Sequence, residues 1–360
     1  MPVSAPRPAP APTATARRSF LLGPGWDFLL LGPGVTLLVS AVFLILIAGG
    51  HPTTAALLAT SLSILVVGPH YAATYRRAYS RAAIVRAHPL VTIAVPLALL
   101  AIAVAALRFP TTVAPAYFLV YVVWSGYHYS GQTLGVAMVY PLRQGARLSP
   151  TDKRLLSVPL HVSWLLSLLG LLRVDASARN PAYQLARQTF SSGVSLPIWA
   201  LGVGVGALVV SFVALAVVGV RRRRQGAPLP ALTYAVVLTQ TLWFGWALWS
   251  PFFNIMLVPV FHGLQYLALT GWHHDKERQA RNGGGAGDAR GFAIYVGTVL
   301  LLGLLINPGL FAIAGGFLGD AAVVSATVIT SINLHHFLLD GRIWRMREPT
   351  VRQSFEGGAA

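Results

Sequence analysis

Long apolar runs recur along this chain and restrict its fold more than any other feature. A helix needs about 20 apolar residues to cross roughly 30 Å of hydrocarbon. With 55% hydrophobic and 10% charged residues, the chain is also too apolar for a soluble globular protein. An all-α, polytopic transmembrane bundle of about ten spans is therefore predicted. The predicted spans are 28–48, 54–75, 89–107, 113–138, 155–172, 196–220, 230–250, 252–272, 291–312 and 319–339.

The basic residues divide unevenly between alternating loops. All but four of the 27 Lys and Arg residues fall on one predicted side, and the exceptions are Arg108, Arg173, Arg179 and Arg187. Because cytoplasmic loops of membrane proteins carry an excess of Lys and Arg, both termini are predicted to be cytoplasmic. This topology explains the net charge of +17 without a nucleic-acid partner, for which no module is present. The predicted location is the bacterial inner membrane, with multiple crossings.

Three regions are predicted along the chain. Residues 1–24 form a disordered, Pro- and Ala-rich cytoplasmic tail, residues 25–345 form a single transmembrane domain, and residues 346–360 form a flexible cytoplasmic tail. Cysteine is absent, so a bound metal must use histidine, carboxylate or carbonyl ligands. The sequence leaves the oligomeric state open.

Histidines concentrate on the predicted cytoplasmic side. Nine of the ten lie there, on six different helices, and His51 is the exception. His128 and His262 lie deep enough that an unpartnered polar ring would be unfavourable, and ionisable groups at such depths are functional candidates. The predicted metal ligands are His70, His128, His262 and His336, with His335, His161 and His273 as alternates. Which of His335 and His336 points into the bundle stays open.

Helical spacing suggests residues that support these ligands. His336 and Asp340 are four residues apart, as expected for a carboxylate that orients a metal-binding imidazole. The alternative for Asp340 is an interfacial ion pair with Arg342 or Arg345. His128 shares its helix face with Gln132, four residues later.

Three further spacings lead to expectations about the same helices. Gln265 and Tyr266 lie beside His262 and are candidates to orient its ring. His273, eleven residues after His262, should face the same way. Gly131 and Gly135 are predicted to pack, or to allow close approach of another helix.

The positions of the acidic residues limit the kinds of metal site and transport mechanism that this chain can have. All ten are predicted to lie in loops, in tails or at helix ends. This placement excludes a di-iron site built from glutamates inside the bundle and disfavours proton transport through a buried carboxylate. A histidine-rich site compatible with iron, zinc or copper remains.

Two histidine motifs carry a family resemblance. GPHYAATYRR and WSGYHYSGQTLG resemble motifs of the bacterial membrane-bound beta-carotene cleavage oxygenases of the Brp/Blh type. The resemblance implies a helical bundle that binds iron through membrane-embedded histidines and cleaves a carotenoid with dioxygen. It implicates His70 and His128, and then His262 and one of His335 or His336. This chain departs from the family by Tyr71 in place of glycine, by the lack of an acidic residue in the second motif and by its larger number of spans.

These observations lead to one leading hypothesis and two alternatives. The leading hypothesis is a membrane-bound metalloenzyme that uses iron (Fe²⁺) and dioxygen to oxidise or cleave an apolar lipid or isoprenoid. The first alternative is a transporter in which histidines relay protons or bind a metal cation. The second is a non-catalytic membrane protein that binds haem through two histidines.

Overall fold

A computed structural model of the protein describes residues 20–146, 148–172, 198–249, 251–282, 289–306, 321–345 and 349–355. Within these ranges the chain is all-helical and contains no β-strand, which confirms the predicted class. Most of the two predicted tails and the loop around residues 283–288 lie outside the described residues.

A helix occupies each predicted apolar segment as far as the described residues extend. The first helices are α1 (Pro24–Leu31), α2 (Gly34–Ala48), α3 (Pro52–Tyr79), α4 (Ala82–Ala87), α5 (Leu90–Arg108), α6 (Val113–Arg143) and α7 (Pro150–Leu172). The remaining helices are α8 (Ile198–Arg224), α9 (Ala231–Trp249), α10 (Pro251–Arg281), α11 (Ala289–Leu304), α12 (Ala321–Ile343) and α13 (Pro349–Phe355). Helix α13 lies in the segment that the sequence predicts to be a flexible tail.

Several helices have the length and hydropathy of membrane spans. Four pass both criteria within the described residues: Pro52–Tyr79, Leu90–Arg108, Trp199–Arg224 and Phe253–Arg281. Helices α1 and α2 would make a fifth span together, although the chain bends by 51° between them. Such helices are those of a membrane protein. The larger number of about ten crossings and the cytoplasmic termini stay predictions.

Helix α3 lies at the centre of the part of the bundle that carries the histidines. It packs against α10, α11 and α12. A Cβ added to Gly303 of α11 would lie 2.2 Å from the backbone nitrogen of Pro69, and one added to Gly263 of α10 would lie 2.9 Å from Val66. Glycine is therefore needed at both positions, because any side chain would push the neighbouring helix away from α3.

The basic ends of the helices lie together. Arg77 of α3 pairs with Glu277 of α10, and Arg221 of α8 pairs with Asp152 of α7. Arg143 of α6 donates a hydrogen bond to the carbonyl of Phe355 in α13. The helix ends that the sequence assigns to one side of the membrane thus contact one another.

The start of the described chain joins this same end of the bundle. Leu21 belongs to an apolar cluster with Tyr140 and Phe355. Asp27 is fully buried within α1 and accepts hydrogen bonds from the backbone N–H groups of Leu21 and Leu22. Asp27 lies near the start of the first helix, in keeping with the prediction that acidic residues lie in loops, in tails or at helix ends, and the backbone of the preceding turn binds its carboxylate.

Candidate metal centre

Four helices each contribute one histidine to a single cluster. His70 of α3, His128 of α6, His262 of α10 and His336 of α12 each present one ring nitrogen, and these four atoms lie within 4.8 Å of one another. The four residues predicted as first-choice ligands are therefore close enough to hold a metal ion. They come from positions spread over more than half of the chain.

The four rings surround a common point. Centroids lie 4.7 Å apart for His70 and His262, 4.3 Å for His70 and His336, 5.0 Å for His128 and His262, and 5.1 Å for His128 and His336. Each of these pairs is close to perpendicular, so each ring meets two neighbours edge-on. This arrangement directs nitrogen atoms toward the centre of the cluster.

The ring nitrogens lack other partners. Both nitrogens of His70, His262 and His336, and Nε2 of His128, are buried without a hydrogen bond among the described residues. Leaving a buried polar atom unpaired costs about 1–3 kcal/mol. A divalent metal at the centre would bond to one nitrogen of each ring and offset that penalty.

The separations fit such an ion. Zinc–nitrogen bonds are about 2.0–2.1 Å long, so the ligand nitrogens of a tetrahedral site lie about 3.4 Å apart. The four ring nitrogens, which lie within 4.8 Å of one another, would each have to move inward by less than about 1 Å to bind an ion. Imidazole ligands suit iron, zinc and copper alike, so the donor set does not specify which metal binds.

Asp340 lies directly behind one ligand. Its Oδ2 atom is 3.5 Å from Nε2 of His336. Its Oδ1 atom accepts hydrogen bonds from the hydroxyl groups of Tyr266, at 2.8 Å, and Thr74, at 3.0 Å. No ion pair joins Asp340 to Arg342 or Arg345 within the described residues, so the interfacial alternative is wrong. The carboxylate is instead buried beside the cluster.

Aromatic side chains enclose the histidines. The ring of Tyr266 meets His70 edge-on at 4.4 Å, and Tyr129 packs on His262 at 4.3 Å. Phe337 stacks on His128, with centroids 4.3 Å apart and planes inclined by 22°. These contacts hold the planes of three of the four imidazoles in place.

The three alternate ligands lie elsewhere. The Nε2 atom of His335 is 3.0 Å from the carbonyl oxygen of Val91. The Nδ1 atom of His161 is 2.8 Å from the carbonyl oxygen of Ser157. His273 contacts Arg77 and Glu277. None of the three belongs to the four-histidine cluster, and of the adjacent pair it is His336, not His335, that faces the cluster.

Of the two glutamines predicted to support the metal ligands, one contacts a residue of the cluster and the other does not. Gln132 donates from Nε2 to the backbone carbonyl of His262 at 3.3 Å, and it therefore bridges α6 and α10 beside the cluster. Gln265 donates to the carbonyl of Leu31 at 2.8 Å. The expectation that Gln265 orients His262 is therefore wrong, because its amide is directed toward α1.

An apolar cavity adjoins the cluster. Its volume is about 660 Å³, and His128, Gln132, Tyr266, Phe337 and Asp340 line it. Gly131 and Gly135 line it too, and a Cβ added to either would meet no atom within 4 Å. The predicted close helix approach at these two glycines is therefore wrong. Their lack of a side chain instead leaves space beside His128.

Several residues of this site were not predicted from the sequence. Thr74 lies four residues after His70 on α3, so the same spacing that relates Asp340 to His336 would have identified it. Tyr129 and Phe337 neighbour predicted ligands in sequence, but they contact the histidine of a different helix. Only the packing of the helices reveals those contacts.

No protein-family model, curated protein or solved structure matches this chain. The resemblance of its two histidine motifs to the carotene cleavage oxygenases therefore stays a prediction. His70 and His128, which carry that resemblance, lie in one cluster.

Proposed function

We propose that this protein is an integral membrane oxygenase, or a related oxidoreductase, that uses iron to transform an apolar lipid or isoprenoid. The observation that carries the proposal is the cluster of four histidines, three of them buried and His128 half-buried, beside an apolar cavity of about 660 Å³. A metal site alone is compatible with many functions. A metal site that faces a large apolar cavity favours chemistry on an apolar molecule.

The choice of iron rests on the resemblance of the two histidine motifs and on the proposed chemistry, because four imidazoles would bind iron, zinc or copper alike. Bound iron would supply the activation of dioxygen, which apolar substrates without a reactive polar group require. A haem at this site is disfavoured, because a porphyrin needs the space between its two axial ligands and the other two histidine rings occupy that space.

The side chains of this site have distinct roles in the proposal. The four histidines would hold the ion, and Asp340, whose Oδ2 lies 3.5 Å from Nε2 of His336, would orient that ring to bind metal through Nδ1. The aromatic rings of Tyr129 and Phe337 hold the ring planes of His262 and His128 in place. The cavity beside His128 would bind the substrate next to the histidines that would hold the ion.

We place the protein in the bacterial inner membrane with both termini in the cytoplasm. The support is the uneven distribution of Lys and Arg between the loops, together with the contacts between basic helix ends. In this orientation the histidine cluster lies toward the cytoplasmic half of the bundle.

The test uses purified, full-length protein in detergent, loaded anaerobically with ferrous iron. Two candidate substrates are tested. One is β-carotene, which the resemblance implies, and the other is a total lipid extract of the cells that express the protein. We expect dioxygen uptake with the matching loss of a substrate and appearance of oxygenated products by mass spectrometry. The zinc-loaded protein should show neither.

Two variants and one transport assay complete the test. His128→Ala should abolish both iron binding and dioxygen uptake, whereas His51→Ala, which changes an exposed histidine far from the cluster, should preserve them. Iron or proton uptake into vesicles without dioxygen consumption would instead establish the transport alternative and contradict the proposal.

A further inference from the structure

A second pocket lies where the basic ends of the helices meet. It has a volume of about 280 Å³ and lies between the ends of α3 and α10, beside Tyr295 of α11. Four arginines line it, namely Arg76, Arg77, Arg81 and Arg281. The one carboxylate among the lining residues is that of Glu277, so positive charge exceeds negative charge even with neutral histidines.

Aromatic rings hold two of these arginines in place. The guanidinium carbon of Arg76 lies 4.8 Å from the centroid of Tyr295, and that of Arg77 lies 3.9 Å from the ring of Trp344. A guanidinium stacked on an aromatic face keeps its N–H groups at the edge of the plane, where they can bind another group. The stacking therefore preorganises the donors before any ligand arrives.

The carboxylate of Glu277 is already shared among several cations. It pairs with Arg81, lies 3.8 Å from Arg77 and 4.0 Å from Arg281, and approaches the ring of His273 at 3.5 Å. Arg76 has no ion pair among the described residues. One carboxylate cannot neutralise this many guanidinium groups, so the pocket remains electropositive.

Two buried nitrogen atoms of the lining residues have no hydrogen-bond partner within the described part of the chain. They are Nε of Arg77 and Nε2 of His274. Each buried nitrogen without a hydrogen bond destabilises the protein by about 1–3 kcal/mol, and a ligand that bonds to it would remove this cost. Carboxylate and phosphate groups both match arginine N–H donors, and several guanidinium groups around one pocket favour phosphate, which carries more charge and more acceptor oxygens.

We propose that this pocket binds a phosphate group, carried either by a soluble compound or by the headgroup of a phospholipid. The site is separate from the histidine cluster and does not depend on a bound metal. Trp344 is the one side chain among the lining residues that the pocket shares with the apolar cavity. Its Nε1 donates to the hydroxyl of Tyr266, which in turn donates to Asp340.

The experiment measures pyrophosphate binding to the full-length protein in an uncharged detergent by calorimetry at low salt. Because Arg77 is largely buried, the test variant is Arg76→Gln with Arg281→Gln, two positions nearer the surface. The control, Arg223→Gln with Arg224→Gln, removes the same charge from exposed positions on α8. We expect the pocket variant to raise the Kd about tenfold or more, and the control to change it by about twofold at most.

Native mass spectrometry of the same proteins distinguishes the two sources of phosphate. Bound phospholipid that the wild type and the control retain, and that the pocket variant loses, identifies a lipid headgroup. Pyrophosphate binding without bound phospholipid identifies a soluble phosphate. If neither pyrophosphate nor phospholipid distinguishes the pocket variant from the control, the proposal is wrong.

A separate variant distinguishes the phosphate site from the proposed metal site. His128→Ala should lose the metal but bind pyrophosphate as tightly as the wild type does. Loss of pyrophosphate binding in His128→Ala would show that the anion binds at the metal cluster, which would also contradict the proposal.

Discussion

The carboxylate of Asp340 lies one helical turn after His336, and its Oδ2 atom is 3.5 Å from Nε2 of that ring. Hydrogen bonds from Tyr266 and Thr74 anchor the opposite oxygen. An anchored carboxylate behind an imidazole selects the tautomer that binds metal through the other nitrogen. Residues on α3, α10 and α12 therefore cooperate to orient one ligand.

Asp340→Asn tests this role. The amide keeps the size of the side chain but loses the negative charge, so we expect the metal affinity to fall about 10–100-fold. Competition with a chromophoric chelator measures the affinity. Asp275→Asn on α10, which lies outside the cluster, is the matched control and should bind metal as the wild type does. Equal affinities for the Asp340→Asn variant and the wild type would rule out the orienting role.

Metal removal provides the second prediction. A ligand that binds only the folded state stabilises it, so the melting temperature of the wild type in detergent should fall when a chelator strips the metal. His262→Ala removes one of the four ligands and should melt at the same temperature with and without the chelator. His51→Ala should retain the full response. A chelator effect of wild-type size in His262→Ala would show that His262 is not a ligand.

The apolar cavity provides the third prediction. Gly131→Leu would fill space beside His128 without meeting a neighbouring atom at its Cβ, so the fold and the metal content should stay normal. Substrate turnover should fall at least about tenfold, because the leucine occupies volume that the substrate needs. Gly297→Leu on α11 adds the same side chain away from the cavity and should not affect turnover. Normal turnover in the Gly131→Leu variant would exclude this cavity as the substrate site.

Close helix packing provides the fourth prediction. Gly303→Ala would place a methyl group 2.2 Å from the nitrogen of Pro69, and α11 would have to move away from α3. We expect a loss of about 1–3 kcal/mol in stability, visible as a lower melting temperature. Gly297→Ala on the same helix meets no atom within 4 Å and provides the control. If both variants melt alike, the two helices are not in close contact.

The ion pair between Asp152 and Arg221 provides the fifth prediction. Burial raises the pKa of the Asp152 carboxyl, but hydrogen bonds from Arg221 and Ser149 outweigh it and hold this pKa below its ordinary value. The pair therefore stabilises the fold above the unfolded pKa of about 4, and this contribution disappears as the pH falls through the lowered folded pKa.

Melting temperatures of the wild type and of Asp152→Asn, measured from neutral to acid pH, test this linkage. The wild type should melt higher near pH 7, and the difference should shrink below about pH 4. Ser157→Ala on the same helix, away from the ion pair, should follow the wild-type pH profile. A difference that persists unchanged in acid would mean that the carboxylate charge does not stabilise the fold.

Local spacing along single helices predicts part of the site correctly. Asp340 lies beside His336, and Gln132 lies beside the cluster, because residues four apart share a helix face. The same spacing fails for His273, which shares a face with His262 but contacts Arg77 and Glu277 at the end of the bundle. Helical periodicity predicts the face of the helix on which a side chain lies. It does not predict which residues of a neighbouring helix that side chain contacts.

The sequence by itself determined the helices, because the length and hydropathy of each apolar run depend only on neighbouring residues. It also determined that any metal must bind to ligands other than cysteine. Only the tertiary structure decided that His336 joins His70, His128 and His262 while His335 bonds to Val91. Adjacent residues on a helix point about 100° apart, and the packing of α12 against α3 and α6 selects which of the two faces the cluster.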